Sequence, residues 1–198
     1  RDRCVFIEIV RHPLYMVRQQ ALNMSHLFGD VRDFTVYYAH KGFDLPYYIY
    51  GWEKDYLNSN SMERTIYFID KLTHRTKKAR KKLKEEYQAK IITVPFEQFV
   101  LNPDPWLDKI AKVIGTNLTD ATRKMMKEQN VPRNMVAQGI DLDIYRRCGW
   151  LPPKDGATER SELDARREDF SKEASNDALT ILDRLSKEYE DKYWDLDA

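Results

Sequence analysis

The run Cys4-Val5-Phe6-Ile7-Glu8-Ile9-Val10 is nearly all apolar and ends on Arg11-His12-Pro13. A continuous apolar run of this length predicts a strand buried on both faces, as in a parallel sheet covered by helices. Pro13 cannot continue a sheet but suits the first turn of a helix. Behind it, Leu14, Val17, Ala21 and Leu22 recur at helical spacing. In open parallel sheets, ligands sit beyond the carboxyl ends of the strands. Arg11 stands at that place, in front of a helix start whose dipole and free N–H groups favour an anion. A guanidinium fork adds bidentate, charge-assisted bonds to phosphate oxygens, each worth about 1.5–3 kcal/mol net. The segment therefore reads as a phosphate clamp. An arginine paired with a carboxylate at a strand end is the plainer alternative.

The rest of the chain continues in α/β style. From Phe34 to Tyr56, aromatic residues crowd around Gly42, Pro46 and Gly51, which predicts an irregular aromatic loop over 34–60. A long helix follows, with Ile66, Ile69, Thr73, Thr76, Arg80, Leu83 and Tyr87 on one stripe and a strongly basic middle from His74 to Lys84. Ile91 to Phe96 is the second strand candidate. Asp104 and Pro105 suit the cap and first position of a helix that Gly115 stops. Another helix is expected from Thr119 to Gln129, then a long loop over 131–160. A final helix from about Ser175 to Trp194 faces Leu179, Leu182, Leu185, Tyr189 and Tyr193 inward. This order predicts the back half of an α/β sheet protein, and Cys4 is expected in its core.

Bulk properties narrow the function. With 198 residues, one domain over 1–198 is expected. A formal charge of +1 gives no global pull toward nucleic acid, so an anion site must be local. Two cysteines make neither a disulfide framework nor a metal site. No apolar run reaches the roughly 20 residues of a membrane span. No signal peptide is visible. A cytoplasmic location is expected, with a Golgi lumen as the alternative.

Cys4 to Ala21 resembles the 3′-phosphate-binding segment of sulfotransferases. That segment is an apolar strand, then Arg-Asn/His-Pro, then a Ser eight residues after the Arg. Arg11, His12 and Pro13 match it; Gln19 stands where the family has Ser, and Tyr15 where Asp is common. Ile91 to Pro103 resembles the family strand that ends in Tyr-Glu-Asp-Leu. The helix from Trp106 to Gly115, and Leu182 to Tyr193, resemble the helices that follow. The resemblance implies a three-layer parallel sheet with flanking helices, of the P-loop nucleotide-hydrolase type, of which this chain is the C-terminal two-thirds. The family's phosphosulfate-binding loop and catalytic base lie upstream of the Arg-His-Pro block, so an upstream segment or a partner chain is expected to supply them.

The implied donor is 3′-phosphoadenosine 5′-phosphosulfate, with no metal, and the implied acceptor is a hydroxyl or amine on a small molecule or glycan. By the resemblance, Arg11 and Gln19 hold the 3′-phosphate. The loop 131–160 folds over the nucleotide with Arg146, Arg147 and Trp150, and Arg133 is a lesser candidate. Tyr37, Tyr38, Tyr48 and Trp52 line the acceptor pocket, and Glu97 supports the site without acting as base. His40, within the aromatic loop, could act as a base. Two other classes stay open: a non-catalytic binding or scaffold module of the same fold, and another P-loop phosphoryl transferase using ATP and Mg²⁺. The basic run Lys77 to Lys84 could bind a polyanion or form one solvated helix face.

Overall fold

A computed structural model describes residues 4–26, 35–147 and 150–194. It is a mixed α/β structure, 61% helical. The apolar run forms β1 (Val5–Val10), and α1 (Pro13–His26) follows with Pro13 as its first residue. An antiparallel hairpin comes next, β2 (Tyr37–His40) and β3 (Phe43–Pro46), and then α2 (Glu53–Asn58) and the long α3 (Ser61–Tyr87). The chain returns in β4 (Lys90–Pro95). Six helices complete it in order: α4 (Phe96–Leu101), α5 (Asp104–Ile114), α6 (Asp120–Glu128), α7 (Asp143–Arg147), α8 (Glu159–Ser171) and α9 (Asn176–Tyr193).

β1 and β4 pair in parallel, from Val5 opposite Lys90 to Val10 opposite Pro95. Among the described residues this ladder is two strands wide, which is narrower than the covered sheet the sequence suggests. The expected burial of β1 on both faces is not found. Ile92 and Val94 of β4 are buried, whereas Phe6 and Ile7 are each 43% exposed and Ile9 is 67% exposed. β4 is β1's only ladder partner among the described residues, so the other edge of β1 and the side chains beside it stay open. Cys4, expected in the core, is exposed for the same reason.

The main core is made by helices. Leu14, Val17 and Ala21 of α1 meet Met62, Ile66 and Ile69 of α3, with Leu163 and Phe170 of α8 and Leu179, Leu182 and Leu185 of α9. Each such side chain contributes about 1.5–3 kcal/mol when fully buried. Capping fixes how α3 enters this core. Asn60 accepts from the Glu63 N–H at 2.9 Å, and Glu63 reaches back to the Asn60 N–H. The same two residues bind the turn between α8 and α9, through Glu173 O and the Ser175 N–H.

Three expectations change in detail. The aromatic segment is not irregular: its first part is the β2–β3 hairpin, closed by Lys41 and Gly42, both at positive φ (49° and 86°). A two-residue turn with positive φ at both positions matches the twist of its strands. Second, α5 starts one residue earlier than expected, with Pro103 at the cap and no side-chain cap bond; Gly115 ends it at φ 72° as expected. Third, the loop 131–160 contains α7, and α8 follows it in a stretch that shows no apolar stripe.

Candidate functional site

The site is built where β1 ends. The backbone leaves the ladder at Val10, so Arg11 emerges at the carboxyl edge of the sheet. His12, just before α1, is fully buried. Its Nδ1 accepts from the Leu14 N–H at 3.2 Å, the capping bond that an Asn oxygen would also make. That bond requires Nδ1 to be unprotonated, so Nε2 carries the proton and donates it to Glu190 Oε1 at 3.0 Å. The ring is neutral, and burial lowers its pKa against the pull of Glu190. The free N–H groups expected at the start of α1 are thus largely taken: Leu14 by the His12 ring, and Tyr15 by His12 O at 3.0 Å. An anion here has to be held by side chains.

Glu97, in the first turn of α4, is the acid beneath the site and is completely buried. Its carboxylate accepts from the His12 N–H at 3.1 Å and from the Tyr189 hydroxyl, and it lies 3.7 Å from Arg11 Nε. Burial raises its pKa, opposed first by the Tyr189 bond. Glu97 therefore joins the ends of β1 and β4 to α9. It accepts hydrogen bonds from these groups and is not among the residues that line the cavity.

Above Glu97 lies a cavity of about 350 Å³. Of the nucleotide-binding residues that the resemblance implies, Arg11, Gln19 and Trp150 line it. Arg18, Arg133 and Arg166 line it too, with the rings of Tyr15, Phe96 and Tyr145. Its lining residues include no Asp, Glu or His. The Arg11 guanidinium lies over the Phe96 ring at 4.5 Å, and that of Arg166 over Tyr15 at 4.7 Å. The buried Nε atoms of Arg11 and Arg166 make no hydrogen bond.

The four guanidinium groups differ in compensation. Arg18 pairs with Asp169 and Glu173, and Arg166 with Glu162 at 2.6 Å. Arg11 has Glu97 at 3.7 Å. Among the described residues Arg133 has no carboxylate partner; it donates to Asn130 O at 3.2 Å and Val136 O at 3.0 Å and lies over the Phe96 ring at 5.9 Å. Desolvation lowers the pKa of Arg11 and of Arg133, and the charge of Arg11 lowers that of Arg133 further. The cavity thus gathers positive charge in a partly dry place beside aromatic faces, which suits a phosphorylated ligand with a flat ring.

Loop bonds hold this wall. The Arg133 N–H donates to Val100 O at 2.7 Å, and the Trp150 indole to Ala137 O at 2.9 Å. Glu159 accepts from the Val136 N–H at 2.7 Å and from the Tyr15 hydroxyl at 2.9 Å, so it ties the loop to α1.

The other predicted residues lie elsewhere. Arg146 is exposed and forks onto Asp141, with Nε 2.5 Å from Oδ1. The side chain of Arg147 lies outside the described residues. Tyr38, Tyr48 and Trp52 pack a second core with Met24, Leu45, Ile49 and Tyr56. Trp52 is buried and donates to Tyr48 O at 3.0 Å, while Tyr38 donates to Glu53 at 2.8 Å. Tyr37 is exposed on β2, and His40 meets Tyr38 edge-on at 6.4 Å. None of these five lines the cavity.

Sequence reasoning missed Phe96 and Arg166. Phe96 read as the last residue of a strand, and Arg166 sits on α8, which the sequence did not reveal. No group of three or more potential metal ligands occurs among the described residues, and no helix there is long and apolar enough to cross a membrane. No protein-family model matches the chain, and comparisons with curated proteins and with solved structures also give no match.

Proposed function

We propose that this chain holds the nucleotide of a sulfotransferase, in a P-loop-like fold, for transfer of a sulfuryl group from 3′-phosphoadenosine 5′-phosphosulfate to a hydroxyl or amine. The observation that carries this reading is the convergence of Arg11, Gln19 and Trp150 on one arginine-lined cavity at the carboxyl end of β1. In this scheme Arg11 and Arg133 grip the 3′-phosphate, Gln19 donates to it, and Trp150 or Phe96 stacks on the adenine. The acceptor oxygen or nitrogen attacks sulfur in line. The bond from sulfur to the bridging oxygen of the 5′-phosphate breaks, and 3′-phosphoadenosine 5′-phosphate leaves. The acceptor's proton goes to a base outside this cavity, where the groups that neutralise the leaving phosphate also lie. The cytoplasm is the proposed location, with the Golgi lumen as the alternative.

Calorimetry with 3′-phosphoadenosine 5′-phosphate tests the reading. Arg11→Ala and Arg133→Ala should each weaken binding about 10- to 100-fold, from the 1.5–3 kcal/mol net of a charge-assisted bond. Preference for ATP with Mg²⁺ would replace the reading with phosphoryl transfer. Absence of nucleotide binding would leave a non-catalytic binding module.

A further inference from the structure

Six basic residues of α3 fall on two stripes with different fates. Lys77 and Arg80 are matched by acids of neighbouring elements, the exposed Lys77 by Glu188 of α9 at 2.7 Å and the half-buried Arg80 by Glu8 of β1 at 3.1 Å. Lys71, Arg75, Lys78 and Lys82 follow one another at helical steps of four, three and four along another, exposed face. Among the described residues, only Lys82 of this set has a carboxylate partner, the exposed Glu86 at 3.7 Å. From Lys71 to Lys82 the stripe runs about 16 Å at 1.5 Å per residue.

One end of the stripe is aromatic. Arg75 donates to Tyr48 O at 3.1 Å and Tyr50 O at 3.0 Å, so the turn after β3 is fixed beside it. Tyr47 and Tyr50 of that turn are 58% and 72% exposed. A cationic track that begins at exposed rings has the complement of a linear polyanion with a ring at its end.

We propose that this face of α3 and the Tyr47–Tyr50 turn bind a sulfated or carboxylated polysaccharide. Charge complementarity selects a polyanion, and the layout selects among polyanions. Single-stranded nucleic acid is held by aromatic platforms interleaved along a basic groove. Here the rings stand at one end and the cations continue without them. Entry of α3 into a duplex groove is hindered on the Arg80 side, which the Glu8 ion pair holds against β1. A polysaccharide carries its anions outside the rings and needs stacking only where a sugar face meets Tyr47 or Tyr50.

The test is titration of the full chain with a heparin-derived hexasaccharide at low salt, beside its desulfated form and a single-stranded oligonucleotide of equal charge. The sulfated sugar should bind, the desulfated one should not, and the oligonucleotide should bind more weakly. Combined Lys71→Ala, Lys78→Ala and Lys82→Ala should weaken sugar binding at least about tenfold and reduce the salt dependence by about three counterions. Lys77→Ala should change it less than about twofold. Circular dichroism and a melting curve confirm that these exposed variants stay folded. No binding, no effect of the triple change, or preference for the oligonucleotide would overturn the proposal. The surface stands apart from the nucleotide cavity, so Arg11→Ala should leave sugar binding intact; loss there would place the sugar in the cavity and overturn the α3 assignment.

Discussion

His12→Asn separates the two jobs of this ring, capping α1 and carrying a titratable proton. Asn can offer its oxygen to the Leu14 N–H as Nδ1 does, so the cap survives. The proton on Nε2 does not. In the folded protein burial lowers the His12 pKa below its ordinary 6.5. The unfolded chain therefore binds more protons at this site as pH falls below 6.5, and stability rises with pH in that window. His12's stabilising share is full above 6.5 and is lost as pH falls through the unfolded value. The loss from pH 6.5 to 5.5 is at most about 1 kcal/mol, the limit for a site that takes up no proton in the fold, or at most about 2–4 °C in melting temperature for a chain of this size. Urea titrations of both proteins across that range give the slopes. His12→Asn will be less stable at every pH, because it gives up the Glu190 bond and the edge contacts of the ring with Tyr189 and Trp194. Its slope should nevertheless be flatter, by up to about 1 kcal/mol over that pH unit. Glu97, whose raised pKa acts in the opposite sense, is common to both proteins and cancels in the difference. Equal slopes would show that His12 does not stay neutral in the fold, and the tautomer assignment would fail with it.

Two further outcomes follow from the packing. Tyr189→Phe keeps the ring but removes a hydroxyl donor from the buried Glu97 carboxylate, so it should cost about 1–3 kcal/mol in urea unfolding, more at pH 8 than at pH 5 because the loss falls on the ionised form. Trp52→Ala empties the second core and should cost about 3–5 kcal/mol, while affinity for 3′-phosphoadenosine 5′-phosphate in the remaining folded protein stays unchanged, since Trp52 is not in the cavity wall.

The legible parts of this fold are those with a strong period or a strong punctuation mark. β1 and α1 were readable because an apolar run meets Pro13, and α9 because Leu179, Leu182, Leu185 and Tyr189 repeat at helical spacing and are all buried. α8 was not, because only Leu163 and Phe170 are buried among its 13 residues. Two apolar positions seven apart leave no stripe to see, and α8 is held by packing on α1 and α9. The hairpin was hidden by chemistry. Tyr37 and Tyr38 are both aromatic, so no apolar–polar alternation marks β2, and Gly42 after Lys41 was its one local signal. The open side of β1 was hidden too, since apolar residues announce what a strand can bury and not what lies beside it. In the site, Arg11 was fixed by local sequence. Arg166 reaches the cavity only through the docking of α8, and Arg133 through the Val100 bond that holds its loop.

His12 and Glu97 explain why the cavity has its charge where it does. Both are buried polar residues, and both use their hydrogen bonds on the frame: Leu14, Glu190, Tyr189 and the His12 backbone. Glu97 approaches Arg11 only at 3.7 Å, beyond hydrogen-bond reach, so it orients the guanidinium without saturating it. A closer carboxylate would neutralise Arg11 and leave nothing for an external anion. Complete removal of the carboxylate would leave Arg11 facing Arg133 and Arg166 with no buried counter-charge. The observed distance lies between these cases: Glu97 offsets part of the repulsion among the arginines, and on the proposed reading a ligand anion in the cavity would offset the rest. A ligand that binds only the folded chain would raise its stability. The proposed nucleotide binding would then be linked to folding through the same few residues at the end of β1.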